Sequence, residues 1–405
     1  MALNGRKAEA SPFDRVDACI RDLQDRHDYW CKITRSAATR EAAMAGIVGE
    51  LEGYHLPLER LDIRCLTIFA LAGVSIKKGT PTEARLAYRA AGLLLLTLRD
   101  GSPGLLLDAA FPALSKAIQA PHDDDVLPML VAAAIDCLSV ASFAGARHEE
   151  EARRSMDAIW RVIVPPARSR SKTSPVLLAA AVTAWTFLLT TIVSATSAQR
   201  NAGRASWSAA IASLVELLGA DDRRVRMAAG EALAVCVELN LTLNARGRGD
   251  MNTLKAKVSD LAVEPASKRA DNSLLREQKE LFSQIAAFLD HGEFPATSWE
   301  WNGMMKVSTW ARLVQLNFLR KFLGDGFLQH VQRNPLLNEA FSFGRVEGKP
   351  LSIQKEKRSM PIDDFLRDWK PDRNWSWEND NILCLRRKLG LRKCLPEKLL
   401  QLGWR

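Results

Sequence analysis

Apolar side chains recur along this chain at intervals of three and four, the period of a helix with one buried face. Phe13, Val16, Ile20 and Leu23 share such a face, and Ser11-Pro12 ahead of them reads as an N-cap with proline in the first turn. Further helices are predicted over 37–51 and 58–78. The second sets Leu61, Cys65, Ile68, Phe69, Ala72 and Ile76 on its inner side and stops at Lys77-Lys78-Gly79, cations followed by glycine. Thr80-Pro81-Thr82-Glu83 predicts a capping box at the next start, with that helix ending at Asp100-Gly101. Ser102-Pro103 opens a helix to about 119. Asp123 to Asp125 precede one that ends near Gly145, and another spans 148–164. Ser174-Pro175 caps an uncharged helix, and the pattern continues over 204–218, 222–243, 251–263, 271–289, 307–323 and 327–343. Gly230 lies inside an apolar-faced helix, where glycine is costly unless a neighbouring helix needs the space.

Paired as hairpins, these helices start near Leu56, Ser102, His148 and Arg204, a spacing of roughly 45 residues and within the HEAT and armadillo range. Each hairpin alone would expose an apolar face that stacking buries. The fold class expected is all-α: an armadillo/HEAT-like helical-repeat superhelix with a smaller C-terminal helical module. A non-repetitive helical bundle is the alternative. The divisions expected are an N-terminal helix over 1–33, the repeat domain over 34–263, the helical module over 264–344 and a basic, Trp-containing, poorly ordered tail over 345–405. Residues 165–175 and 244–250, rich in breakers and basic residues, read as exposed loops.

The 405 residues are 47% apolar and 25% charged, ordinary for a globular protein, with a formal net charge of +9. From Arg345 onward Lys and Arg outnumber Asp and Glu by about six. A basic balance permits an acidic partner such as RNA without requiring one. Seven scattered cysteines with no C-x-x-C pair fit a reducing compartment, cytoplasm or nucleus. The first ten residues hold no signal-type apolar core. Residues 175–199 carry no charge and are long enough to cross a bilayer. Their threonines and their place in a row of similar helices favour a buried core helix over a membrane span.

No catalytic motif appears. Gly247-Arg248-Gly249 is a lone G-x-G, and His148-Glu149-Glu150-Glu151 lacks the second histidine of a zinc-protease helix. No cofactor, metal or catalytic residue is therefore assigned, and an enzyme would need a site assembled from distant residues. Candidate binding residues are Arg168, Arg170 and Lys172 in the first loop, together with Trp299, Trp301, Lys306 and Arg312, an aromatic–basic mixture able to stack on bases or bind a protein. Ser169, Ser171 and Ser174 are candidate phosphorylation sites, where phosphate would reverse the local charge. In the tail, Arg386-Arg387-Lys388 and Arg392-Lys393 flank leucines in the manner of a basic amphipathic helix.

Four segments carry a resemblance. They are Ser36-Ala37-Ala38-Thr39-Arg40-Glu41-Ala42-Ala43, then Thr183-Ala184-Trp185-Thr186-Phe187-Leu188-Leu189-Thr190, then the stretch from Asp221-Asp222 through Arg226 and Ala228-Ala229-Gly230-Glu231 to Leu233-Ala234, and a C-terminal set. That set holds Ser267-Lys268-Arg269, 276–280, Phe282, Glu293-Phe294-Pro295, Trp310, Leu323-Gly324 and 338–344. In this order they resemble the interferon-related developmental regulator family over about 34–344. The resemblance implies an armadillo-type superhelix, a C-terminal module, a core role for the uncharged helix and no catalytic residues. It also implies a regulatory scaffold with protein partners, either transcription co-repressor complexes in the nucleus or ribosomes in the cytoplasm. After about Met360 the chain departs from that family's pattern, so roles of its basic tail are not carried over.

Overall fold

The computed structural model describes residues 10–24, 26–28, 31–33, 36–56, 63–98, 102–120, 127–165, 173–192, 204–241, 248–265, 272–295, 297–299, 305–307 and 309–341. The expected basic tail lies outside them. The described chain is an all-α helical-repeat fold with two short hairpins. Its elements are α1 (Pro12–Leu23), β1 (Arg26–Asp28), β2 (Cys31–Ile33), α2 (Ala37–Glu52), α3 (Ile63–Lys78), α4 (Pro81–Thr97), α5 (Ser102–Ile118), α6 (Leu127–Gly145), α7 (Glu149–Ile163) and α8 (Pro175–Ile192). Then come α9 (Arg204–Leu217), α10 (Arg223–Glu238), α11 (Arg248–Ala262), α12 (Asn272–His291), β3 (Thr297–Trp299), β4 (Met305–Val307), α13 (Trp310–Leu323), a 3-10 turn (Gly324–Gly326), α14 (Phe327–Arg333) and α15 (Pro335–Phe341).

The chain divides into two compact units, one of 1–113 with 325–405 and the other of 114–324. The boundary drawn from sequence at 263/264 falls inside the second.

In the first unit, α1 packs on α2, and α2 and α3 pack on α4. Ser11 closes a capping box with Asp14, and Ser36 and Thr80 accept from the N–H groups of Thr39 and Glu83. The capping box expected at Thr80 is only half made. The Glu83 carboxylate turns instead to Arg40, whose Nη2 reaches it at 2.8 Å, while Thr80 bonds Glu41. A buried guanidinium offers a charge-assisted bond that a backbone N–H cannot match.

The C-terminal ends of α2 and α4 are finished from far along the chain. His330 Nε2–H donates to the Leu51 carbonyl at 3.0 Å, and the Asn334 amide donates to the Leu96 carbonyl at 2.9 Å. His330 Nδ1 accepts from Asn334 at 3.4 Å, and the Tyr54 ring stands edge-on to the imidazole at 5.0 Å. Asn334 thus serves a carbonyl in the last turn of α4, and His330 adds a second donor to the Leu51 carbonyl, which also accepts from the Tyr54 N–H at 3.1 Å. Burial pushes the His330 pKa down to about 4 from 6.5, against the pull of the Leu51 and Glu52 carbonyls.

As pH falls, the unfolded chain therefore takes up this proton first. The contribution of neutral His330 is complete above about 6.5 and is lost as pH drops toward 4, on the order of 3 kcal/mol. Urea titrations of wild type and His330→Gln between pH 7 and 4.5 should show a stability gap that closes on acidification. A constant gap would reject this assignment.

In the second unit, α8 packs against α6, α7, α10 and α13. Leu177, Ala181, Val182, Ala184, Phe187, Leu188 and Leu189 are fully buried. The hydroxyls of Thr183, Thr186, Thr190 and Thr191 donate to carbonyls of their own helix, so none is stranded in the apolar surround. By length and composition alone, α8 and residues 128–145 could cross a membrane, and α8 is here a packed core helix.

The other departures from the sequence reading are local. The helix drawn to 243 ends at Glu238 because Asn240 takes φ +56°, a left-handed conformation that asparagine tolerates. The helix drawn from 307 starts at Trp310, after a hairpin pairing Trp299 with Met305 and Ser298 with Lys306. The helix drawn over 327–343 breaks at Asn334-Pro335, since proline disfavours helical backbone in the residue before it.

Candidate functional site

The segments most characteristic of the family resemblance turn out to be internal clamps. Arg40 Nη1 donates to the Leu23 carbonyl at the end of α1, while its other nitrogens hold Glu83 and Ser75. It therefore joins four helices through one guanidinium. Arg226 works in the same way in the second unit. It donates to the Ala220 and Asp221 carbonyls, to Gln278 Oε1 at 2.9 Å and to Glu264 Oε2 at 3.0 Å. Gln278, fully buried, donates in turn to Glu264 at 2.7 Å. That bond, together with Arg226 and Arg223, holds the Glu264 carboxyl below its ordinary range.

Gly230 allows the close approach expected of it. A Cβ there would lie 2.8 Å from Phe282 and 3.1 Å from Ile285, both on α12. Asp222 caps α10 by accepting from the Arg224 N–H.

Glu231 is the exception in this segment. Among the described residues it meets no hydrogen-bond donor and no cation. The residue is half-buried, and the packed atoms around it push its carboxyl up to about 7. Two turns on, Glu238 has a partner: its carboxylate accepts from the Ala311 N–H at 2.8 Å, at the positive end of α13. Burial nevertheless raises the Glu238 pKa, against the bonds from Ala311, Trp310 and Thr309.

From Glu238, α13 runs across two further helices. Gln315 donates to Thr190 Oγ1 at 2.9 Å, Phe318 stacks on Phe187 at 4.2 Å, and Lys321 approaches Asp136 at 3.7 Å. So α13 crosses α10 and α8, and its last turn reaches α6 through Lys321. Phe143 against Phe187 at 5.3 Å places the C-terminal parts of α6 and α8 side by side, pointing the same way.

Of the candidate residues from sequence, Ser174, Trp299, Lys306 and Arg312 are among the described residues. Arg168, Ser169, Arg170, Ser171, Lys172 and Trp301 lie outside the described residues. Ser174 accepts from the Leu177 N–H at 3.3 Å at the start of α8. Trp299 and Lys306 sit on the two strands of the second hairpin. Arg312 lies in the first turn of α13, half-buried and 3.4 Å from Gln315. Sequence reasoning passed over Glu231, Met227, Met129 and Val176. Their signal was a half-polar stripe at intervals of three, four and seven on helices otherwise read as core. Among the described residues no group of His, Cys, Asp or Glu is placed to hold a metal ion.

Consecutive helices packed on one another and joined by largely buried arginine clamps, with glycine where α10 meets α12, define a helical-repeat protein of the armadillo/HEAT type. The sequence matches the interferon-related developmental regulator (IFRD) family over residues 4–290. The chain belongs to that family. It is 26% identical to mouse interferon-related developmental regulator 2 over 325 residues, 78% of this chain and 71% of that protein. It is likewise 26% identical to human interferon-related developmental regulator 1 over 330 residues, 77% of this chain and 69% of the relative. The names of these relatives describe regulators.

Proposed function

We propose that this chain is a non-enzymatic regulatory scaffold that binds macromolecular partners, with no small-molecule substrate and no membrane anchorage. Its partners are ribosomes in the cytoplasm, where it modulates translation, or transcription co-regulator complexes in the nucleus. The observation that carries this reading is membership of a family whose relatives are named as regulators, on a helical-repeat fold. Stacked helices offer long surfaces and need no enclosed pocket. The net charge of +9 favours the RNA-rich partner.

Sedimentation of the tagged chain from cell lysate through a density gradient tests this. Co-migration with ribosomal particles at low salt, weakened at moderate salt, is the expected result. Migration with light fractions alone would remove the ribosome and leave the nuclear co-regulator reading, to be tested by capture from nuclear extract.

A further inference from the structure

Among the described residues, the face that α6, α8 and α10 present to α13 is only half covered. With 14 residues, α13 is roughly 21 Å long, enough to cross three helices spaced about 10 Å apart and no more. It lies over Asp136, Phe187, Thr190 and Glu238. Helical phase carries the same side toward the N-termini of the three helices. Met129 and Ala133 precede Asp136 on α6. Val176, Ala180 and Thr183 precede Phe187 on α8. Met227 and Glu231 precede Glu238 on α10. None of these side chains is sealed. Met129 is 56% exposed and Val176 54%, and the others are half-buried. A single exposed apolar residue means little, but a stripe shared by three adjacent helices marks a surface for contact.

The chemistry of this stripe narrows its occupant. Asp222, Arg226 and Gly230 of the α10 segment all have internal roles, whereas Glu231 has none. A carboxylate held among packed atoms without a cation costs stability unless something beyond the described residues supplies one. The adjacent helix α8 cannot, since it bears no charged residue. The covered half of the face shows what it accepts: α13 brings an aromatic ring to Phe187 and a lysine to Asp136.

We propose that the uncovered half docks a segment of a partner protein that carries an arginine or lysine among apolar side chains. The cation meets Glu231, and the apolar groups rest on Met129, Val176 and Met227. Two helix spacings, roughly 20 Å, correspond to about six extended residues. The proposal rests on reading the chain as a binder of macromolecules.

The test is selection of phage-displayed random peptides, about a dozen residues long, on the full chain. Peptides sharing a basic residue flanked by apolar ones are expected. Their affinity should fall roughly tenfold or more in Glu231→Gln and in Val176→Ser, the loss of one charge-assisted bond or one apolar contact set. Glu231→Lys should instead bind peptides whose basic residue is replaced by aspartate. Glu231→Gln removes an uncompensated charge, so it should fold and be more stable than wild type above pH 7. Met129→Ser and Val176→Ser change exposed positions and carry the test if it does not.

Selected peptides that bind all variants equally, or no selected peptide at all, would overturn the proposal. So would a dimer of the chain that Glu231→Gln dissolves, since the occupant would then be a second copy. A variant that loses peptide binding yet still sediments with ribosomal particles keeps this surface and places the ribosome elsewhere. Failure of sedimentation with peptide binding intact rejects the ribosome and leaves the surface standing.

Discussion

Gly230→Asp is expected to destabilise the second unit by about 4 kcal/mol, with a fall in Tm on the order of 10 °C. Two costs combine. A Cβ at this position would sit 2.8 Å from a ring carbon of Phe282, which is itself fully buried and cannot swing aside cheaply. The carboxylate then enters an apolar crossing of α10 and α12 that offers it no partner. Gly230→Ala isolates the steric part, at roughly 1–3 kcal/mol. Phe282→Leu should soften that part, so the double variant should be less damaged than the sum of the singles. Thermal melts followed by circular dichroism measure all four proteins. A Tm for Gly230→Asp within error of wild type would show that the helices separate freely there and that the glycine is incidental.

Arg226→Ala should cost about 2–3 kcal/mol. The guanidinium is 11% exposed, and its removal leaves Gln278 Oε1 and two turn carbonyls without this donor and Glu264 with Arg223 and Gln278 alone. Arg226→Lys keeps the charge but loses the planar fork that serves several acceptors at once, so it should fall between alanine and wild type. Urea unfolding at pH 7 gives the free energies. Lysine restoring full stability would mean that charge alone matters, and a loss under about 1 kcal/mol for alanine would mean that water replaces the fork.

Much of the fold was legible because its signals are local. Ser11, Ser36 and Thr80 cap helices within three residues of themselves, and lysines before glycine end α3 as the dipole requires. What was not legible depends on distant partners. Glu83 has the spacing of a capping box, and only the fold brings Arg40, 43 residues away, to claim it. The left-handed turn at Asn240 interrupts an apolar run that reads as unbroken helix. Strands of three residues are too short to show alternation. The candidate surface was the least visible part. Glu231 reads as one letter of a familiar segment, and its lack of a partner emerges only when the uncharged α8 is seen packed beside it.

The capping of α2 and α4 by His330 and Asn334 has a temporal consequence. The bonded residues are 279 and 238 positions apart. At ordinary elongation rates, roughly 15 to 60 seconds separate synthesis of Leu51 from that of His330. Through that interval the Leu96 carbonyl of α4 lacks the Asn334 amide, the Leu51 carbonyl of α2 has the Tyr54 N–H without His330, and the side of α2 that receives His330 stays open. Helices α2 and α4 are thus made long before they are completed, and through that wait they offer a nascent-chain chaperone an opportunity to act.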